Sequence, residues 1–204
     1  ACDHAGTDPA RLDPERTGVY SGASNADHAV FGMQNPAKID AFFGLGNTLS
    51  IMANRISYFW NFQGPSVTLD SACSSGLVAL DRARRDILSG EVDTAIVGGV
   101  NLLLSPGPFI AFSAAGMLSR RGLCRAFAAG ADGYVRSEGA VVFVLQRADL
   151  AESEGRRVRS IVAGSGVCAD GRTGGIAVPS EVRQADLVTS VLRDAGIDPD
   201  DIAY

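Results

Sequence analysis

The chain has 204 residues, 46% of them hydrophobic and 20% charged, with a formal net charge of −5; this balance fits one ordinary soluble domain and excludes a disordered or fibrous chain. An acidic total with no block of Lys and Arg argues against nucleic acid as a partner. No run approaches the roughly 18 apolar residues that cross a bilayer, and Ala1 to Ala10 has no basic region leading into an apolar one, so no membrane is expected and the protein is expected in the cytoplasm.

In chain order, Thr17 to Ala23 (TGVYSGA) reads as a short strand ending in small residues, followed by a loop through Gly32 and Pro36. From Asp40 to Phe62 the pattern is helical with Gly44 and Gly46 interrupting it; Leu49 to Trp60 is the stronger helix, stopped by Gly64 and Pro65. Ser66 to Asp70 then reads as a buried strand and Ser74 to Ser89 as a helix, followed by a buried strand Thr94 to Val97 that ends in Gly98 and Gly99. That alternation is the grammar of an α/β fold. The Ser74 to Ser89 helix offers Leu77, Leu80, Arg84 and Leu88 along one side and Asp81 with Arg85 as an i,i+4 pair, and Gly90 caps it.

Beyond the Ser105 to Pro108 loop, a helix is expected near Phe109 to Ala115, then a long irregular segment from Met117 to Gly139. Ala140 to Leu145 (AVVFVL) and Val158 to Cys168 are strand-like apolar runs. Ser180 caps a last helix carrying Val182, Ala185, Val188, Leu192 and Ala195, closed by Gly196, and Ile202 to Tyr204 begins a further strand.

Four cysteines (Cys2, Cys73, Cys124, Cys168) stand far apart with no C-x-x-C pair and only His4 and His28 to help, so no metal site or disulfide framework is expected. A lone cysteine is by default a buried packing residue, which is the reading for Cys2, Cys124 and Cys168. Cys73 differs. It lies where a strand turns into a helix through Ala72, Ser74, Ser75 and Gly76, and the unpaired N–H groups and positive dipole end of a helix N-terminus favour a thiolate there. Cys73 is therefore a candidate nucleophile.

The stretch DSACSSGLVAL, Asp70 to Leu80, resembles the active-site signature of the ketosynthase (β-ketoacyl synthase) domains of polyketide synthases and animal-type fatty acid synthases. GNTLSIMANRISYFWNFQGPSVTLD (Gly46 to Asp70), AIVGGVNLLLSP (Ala95 to Pro106), FSAAGMLS (Phe112 to Ser119), CRAFAAGADGYVRSEGAVVFVLQR (Cys124 to Arg147) and the DG of VCADGRTGG (Val167 to Gly175) are similar to further ketosynthase segments, in the same order and spacing. Ser71 and Gly76 stand where Thr and Ser are usual, and Ala128 where Asp is common.

The resemblance implies a thiolase-like fold with a mixed sheet and helices on both faces. Residues 1–204 would form most of its nucleophile-bearing N-terminal half. It implies Cys73 as the residue that accepts an acyl chain, for decarboxylative condensation with a malonyl-type extender on acyl carrier protein. Substrates would arrive on the carrier's phosphopantetheine, with no cofactor bound directly, and the enzyme would be a homodimer completed by the remainder of the synthase polypeptide. The family's catalytic histidines would fall beyond Tyr204, and the strand it places first would precede Ala1. His4 and His28 match neither histidine and read as surface residues in polar loops. A non-elongating acyltransferase or gatekeeper that keeps Cys73, and a silent dimerisation scaffold, are the alternatives. A hydrolase lacks G-x-S-x-G and a credible histidine, and the G-x-G pairs Gly44 to Gly46 and Gly164 to Gly166 lack the strand-to-helix setting of a dinucleotide loop.

Overall fold

Residues 1–203 are described by the computed structural model. After a short helix α1 (Cys2–Ala5) and a 3-10 turn at Pro9–Arg11 comes strand β1 (Thr17–Gly22), then helices α2 (Asp27–Met33), α3 (Phe43–Asn47) and α4 (Ser50–Trp60). Strand β2 (Ser66–Leu69), helix α5 (Ser75–Leu88), strand β3 (Thr94–Asn101) and helix α6 (Gly107–Ala114) follow, and the chain continues with strand β4 (Gly139–Gln146), helix α7 (Ala148–Ser153) and helix α8 (Glu181–Ala195). The strands form one sheet in the order β2-β1-β3-β4, with β1 parallel to both neighbours and β4 antiparallel to β3. The mixed sheet is the one the resemblance implies.

Alternation along β1 and β3 explains the layers. Val19, Ile96 and Val144 are cross-strand partners on one face, where Ala53 of α4, Phe62 and Leu12 pack against them. Tyr20 and Val97 are partners on the other face, packed with Ala79, Ala83 and Ile87 of α5. Successive residues of a strand point to opposite faces, so β1 and β3 are covered on both sides and all six residues of β1 are buried. Val19, Val92 and Val97 are fully buried, each contributing about 1.5 kcal/mol or more.

The buried stripe of α5 differs from the one the leucines suggest. Leu77 and Leu88 are exposed, whereas Leu80 is half-buried and packs beside the buried sheet-facing residues Ala79, Ala83 and Ile87. The small side chains of Ala79 and Ala83 let the helix approach the sheet closely. The Asp81–Arg85 pair forms at 2.8 Å, but Asp81 is buried and also accepts a 2.8 Å hydrogen bond from Ser165 Oγ. Beside it Arg84 donates to the carbonyls of Val162 and Ala163. The Val158 to Cys168 run is accordingly no strand: it lies across α5, with Gly164 and Gly166 against Val191 and Leu187 of α8. An apolar run becomes a strand only where a ladder partner is offered.

Other differences are local. The segment after β1 is not a loop, because α2 occupies Asp27–Met33, and α3 accommodates both Gly44 and Gly46. Strand β2 is half-buried at the sheet edge. Strand β4, at the opposite edge, exposes Val141, Val142 and Phe143. Ile202 and Ala203 form no strand, and Tyr204 lies outside the described residues. The caps of α8 are as read: Ser180 Oγ accepts from Arg183 N, and Gly196 closes the helix at φ 66°.

One buried polar cluster ties α5 to the sheet. The Tyr20 hydroxyl donates to Asp86 Oδ2 at 2.8 Å, and Arg82 Nε donates to both Asp86 oxygens at 2.9 Å. Burial, and then the Asp86 carboxylate, push the Tyr20 phenol above its ordinary range. This contribution is fully present below the ordinary tyrosine value of about 10 and is lost as pH rises above it. Asp86→Ala, which leaves the phenol unpaired, is expected to lower stability by about 2 kcal/mol. Arg82→Ala removes a largely exposed partner and should cost under about 1 kcal/mol. Urea unfolding of the two variants measures the difference.

Candidate active site

At the end of β2 the chain makes a sharp elbow. Ala72 adopts φ 55°, a left-handed conformation that costs a residue with a Cβ roughly 1–2 kcal/mol. Residues Ala72–Ser74 form a 3-10 turn that runs straight into α5. Four hydrogen bonds hold the turn, two of them on Ala72 itself: Asp70 Oδ1 accepts from Ala72 N at 3.0 Å, Ser75 Oγ donates to Ala72 O at 2.6 Å and accepts from Ser71 N at 2.9 Å, and Ser74 Oγ donates to Ser71 O at 2.9 Å. Strain kept in place by surrounding bonds is characteristic of functional turns.

Cys73 is the middle residue of this turn and is exposed. It precedes the N-cap Ser74 of α5, so it sits where the first-turn N–H groups and the positive dipole end are found. Three glycines bring the backbone together below it. A Cβ on Gly22 would overlap the Gly76 nitrogen and the Ser75 carbonyl carbon and stand 2.7 Å from Ser75 O. Gly99, on β3, is 3.6 Å from the Gly76 Cα by the same measure. The ends of β1 and β3 thus press on the first turn of α5.

The other thiols are placed differently. Cys2 is half-buried, and burial pushes its thiol up. Cys124 and Cys168 are exposed, not buried as the default reading has it. Cys124 Sγ accepts from Val135 N at 3.1 Å, and Cys168 Sγ donates to Arg183 O at 3.8 Å. Neither histidine pairs with Cys73: His4 lies in α1, and His28, in α2, bonds Asn47 Oδ1 through Nδ1 at 2.8 Å. Both sit on helices where loops were expected. Among the described residues no cluster of His, Cys, Asp and Glu could hold a metal.

A polar network at the same end of the sheet escaped the sequence reading. Asn25 Nδ2 donates to Asn101 Oδ1 at 2.7 Å, Asn101 Nδ2 donates to Ser137 O at 2.6 Å, and Glu138 Oε1 accepts from Leu103 N at 2.7 Å. Its members are scattered along the chain, and only their common position at strand ends could have signalled it. Beside it opens a cleft of about 390 Å³ lined by residues from Ala23 to Leu104, among them His28, Asn47, Met52 and Arg55. Cys73 is not in its lining, but Ala23 N donates to Leu69 O, the last residue of β2, at 3.1 Å. The segment before β4 is pinned by Arg136, whose guanidinium carbon lies 5.4 and 4.8 Å from the ring centres of Phe109 and Phe112. Asp132 joins it to Ser119 and Arg121, which hold its carboxyl below the usual range.

Comparison with known proteins returns one family across nearly the whole chain. Residues 1–151 match the model described as "Beta-ketoacyl synthase, N-terminal domain", and residues 159–204 match "Beta-ketoacyl synthase, C-terminal domain". The chain is 41% identical over its full length to one component polypeptide of the phenolphthiocerol/phthiocerol polyketide synthase of Mycobacterium bovis, covering 11% of that protein. It is 42% identical to a second component of the same synthase in Mycobacterium tuberculosis, covering 13%. Among solved structures, the ketosynthase from module 6 of the Bacillus subtilis bacillaene synthase superposes with a TM-score of 0.90 at 39% identity, the chain covering 34% of it. The Streptomyces albus oxazolomycin ketosynthase domain gives 0.92 at 37% identity and 36% coverage. The chain thus spans about a tenth of the curated relatives and about a third of these solved chains.

Proposed function

The chain belongs to the β-ketoacyl synthase family, and from that premise we propose that it is the nucleophile-bearing part of a polyketide synthase ketosynthase. The Cys73 thiolate attacks the carbonyl carbon of an acyl thioester presented on the phosphopantetheine arm of acyl carrier protein, and the carrier thiolate leaves. A malonyl-type extender on a carrier then loses carbon dioxide. The carbanion attacks the acyl-Cys73 carbonyl, a carbon–carbon bond forms, and the Cys73 thiolate is released with a β-ketoacyl carrier as product. Donors aimed at the developing enolate are required for the second half, and the resemblance assigns them to histidines outside residues 1–204. No cofactor is bound directly, and the cytoplasm is the setting. Neither nucleic acid nor a membrane is a partner, and no helix among the described residues is long and apolar enough to cross one.

The observation that carries this reading is the elbow itself: an exposed cysteine at a helix start, beyond a residue held at φ 55°. A silent scaffold has no use for such a turn. The test is to incubate the enzyme briefly with an acyl pantetheine thioester and map the modified residue by mass spectrometry. Cys73 is expected to carry the acyl group ahead of Cys124 and Cys168, with Cys2 last because burial raises its thiol. Acylation of any other cysteine first would overturn the assignment.

A homodimer follows from the same reading. Among the described residues strand β2 is an edge strand, paired on one side by β1, and it leads directly into the elbow. Pairing of β2 with its counterpart in a second copy would cover that edge and brace both elbows. Light scattering of the enzyme should give twice the protomer mass at micromolar concentration; a stable monomer would contradict it.

A further inference from the structure

Ser75, the first residue of α5, is buried although it is polar and follows an exposed turn. Its hydroxyl is engaged as donor and as acceptor, giving to Ala72 O at 2.6 Å and receiving from Ser71 N at 2.9 Å. Ala72 O also accepts from the Ser75 N–H, so both lone-pair sites of that oxygen are filled. This carbonyl belongs to the peptide group that joins Ala72 to Cys73. In a trans peptide the N–H points opposite to the C=O, and no cis peptide bond occurs among the described residues. Holding Ala72 O against the start of α5 therefore turns the Cys73 N–H outward, where it meets no acceptor among the described residues. A free donor and a thiol thus stand on one residue at the exposed tip of the turn.

Building on the proposed acyl transfer to Cys73, the geometry assigns Ser75 as a positioning residue for that step. Ser75 does not touch the substrate. It fixes the peptide plane ahead of the nucleophile, so that the outward N–H of Cys73 faces the carbonyl oxygen of a thioester whose carbon Sγ attacks. As the carbon–sulfur bond forms, the carbonyl electron pair moves onto that oxygen, and it returns when the carrier thiolate leaves. A donor aimed beforehand stabilises the charge in between. Without the Ser75 hydroxyl, Ser71 N loses its acceptor and Ala72 O keeps only the Ser75 N–H. Ala72, kept at φ 55°, is then free to relax to the right-handed conformation that residues with a Cβ prefer. The peptide plane turns and takes the Cys73 N–H with it. The sulfur stays exposed and reactive toward groups that develop no oxyanion.

The experiment uses the complete ketosynthase and compares two reactions of the same thiol. Acylation by an acyl pantetheine thioester passes through an oxyanion, and alkylation by iodoacetamide does not. Mass-spectrometric mapping of the wild type first establishes that the acyl group is on Cys73. In Ser75→Ala the limiting acylation rate is expected to fall about thirtyfold at a nearly unchanged half-saturating concentration, while the alkylation rate stays within about twofold. Ser75→Thr, which keeps a hydroxyl, should recover most of the acylation rate. A merely structural role would slow both reactions together, and that outcome, or acylation indifferent to Ser75→Ala, would overturn the assignment.

Should either Ser75 variant not fold, Asp70→Ala gives the second reading. Asp70 is exposed and holds the other polar group of the same residue, accepting from Ala72 N at 3.0 Å. Its loss is expected to lower the acylation rate severalfold without slowing alkylation. Both reactions slowed together, or neither, would overturn the proposal. An acyl group found first on another cysteine of the wild type would instead remove the premise, and the proposal with it.

Discussion

Cys73→Ala is expected to abolish acyl transfer and condensation, with a loss of at least about a thousandfold in kcat and little change in stability. The size of the loss follows from chemistry: without the sulfur there is no covalent intermediate, and removal of a nucleophile that works as a unit with its surroundings forfeits nearly all of their joint effect. The small effect on stability follows from exposure, because the side chain leaves no cavity behind. A radiolabelled condensation assay beside thermal unfolding reads both quantities. Product formation near the wild-type rate would place the nucleophile elsewhere, and an unfolded variant would mean that the thiol packs the elbow instead of reacting from it.

Gly22→Ala is expected to be the most damaging single-methyl addition near the site. The new Cβ meets the backbone of Ser75 and Gly76, and no flexible side chain is there to yield. Overpacking of this kind costs about 3 kcal/mol. It also pushes the first turn of α5 away from the sheet and carries Cys73 with it, and a displacement of about 1 Å can lower a rate roughly a hundredfold. Gly99→Ala is the control. Its Cβ would find Gly76 Cα at 3.6 Å and Gly22 O at 3.8 Å, ordinary contact distances, so it should cost under about 1 kcal/mol. Denaturant unfolding and acylation rates of the pair test the argument, and equal damage from both would refute it.

Much of this was legible in the residues. The strands showed because β-branched and aromatic residues cluster between glycines, as in TGVYSGA, and the elbow showed because a run of small residues separates VTLD from a helical pattern. What did not show was decided by partners distant in sequence. Val158 to Cys168 has the composition of a strand, yet Arg84 and α8 claim its backbone and flanks. Leucines on α5 look like its core stripe, yet Leu77 and Leu88 are exposed and the sheet is met by Ala79, Ala83 and Ile87, with Leu80 packed beside them. Helix α2 lacks a side-chain cap, so it carries no start signal, and its existence rests on contacts with residues further along. Cys73 was readable because its setting is local; Asn25, Asn101 and Glu138 were not, because their setting is not.

The hold of Asp81 on Ser165, and of Arg84 on the carbonyls of Val162 and Ala163, bears on how such synthases can be recombined. The stretch between residues 151 and 159, where one family model stops and the next begins, looks like a natural crossover point for building hybrids. It is a poor one. Domain borders suit exchange when few interactions span them, and here the helix behind the nucleophile grips the incoming segment through a buried carboxylate. A hybrid joined there inherits Asp81 from one parent and its hydroxyl partner from another, and a donor sequence without serine at that position leaves a carboxylate oxygen unbonded in the interior. Junctions placed ahead of β1, or at loops that keep α5 and residues 162–165 from a single parent, preserve the pairing.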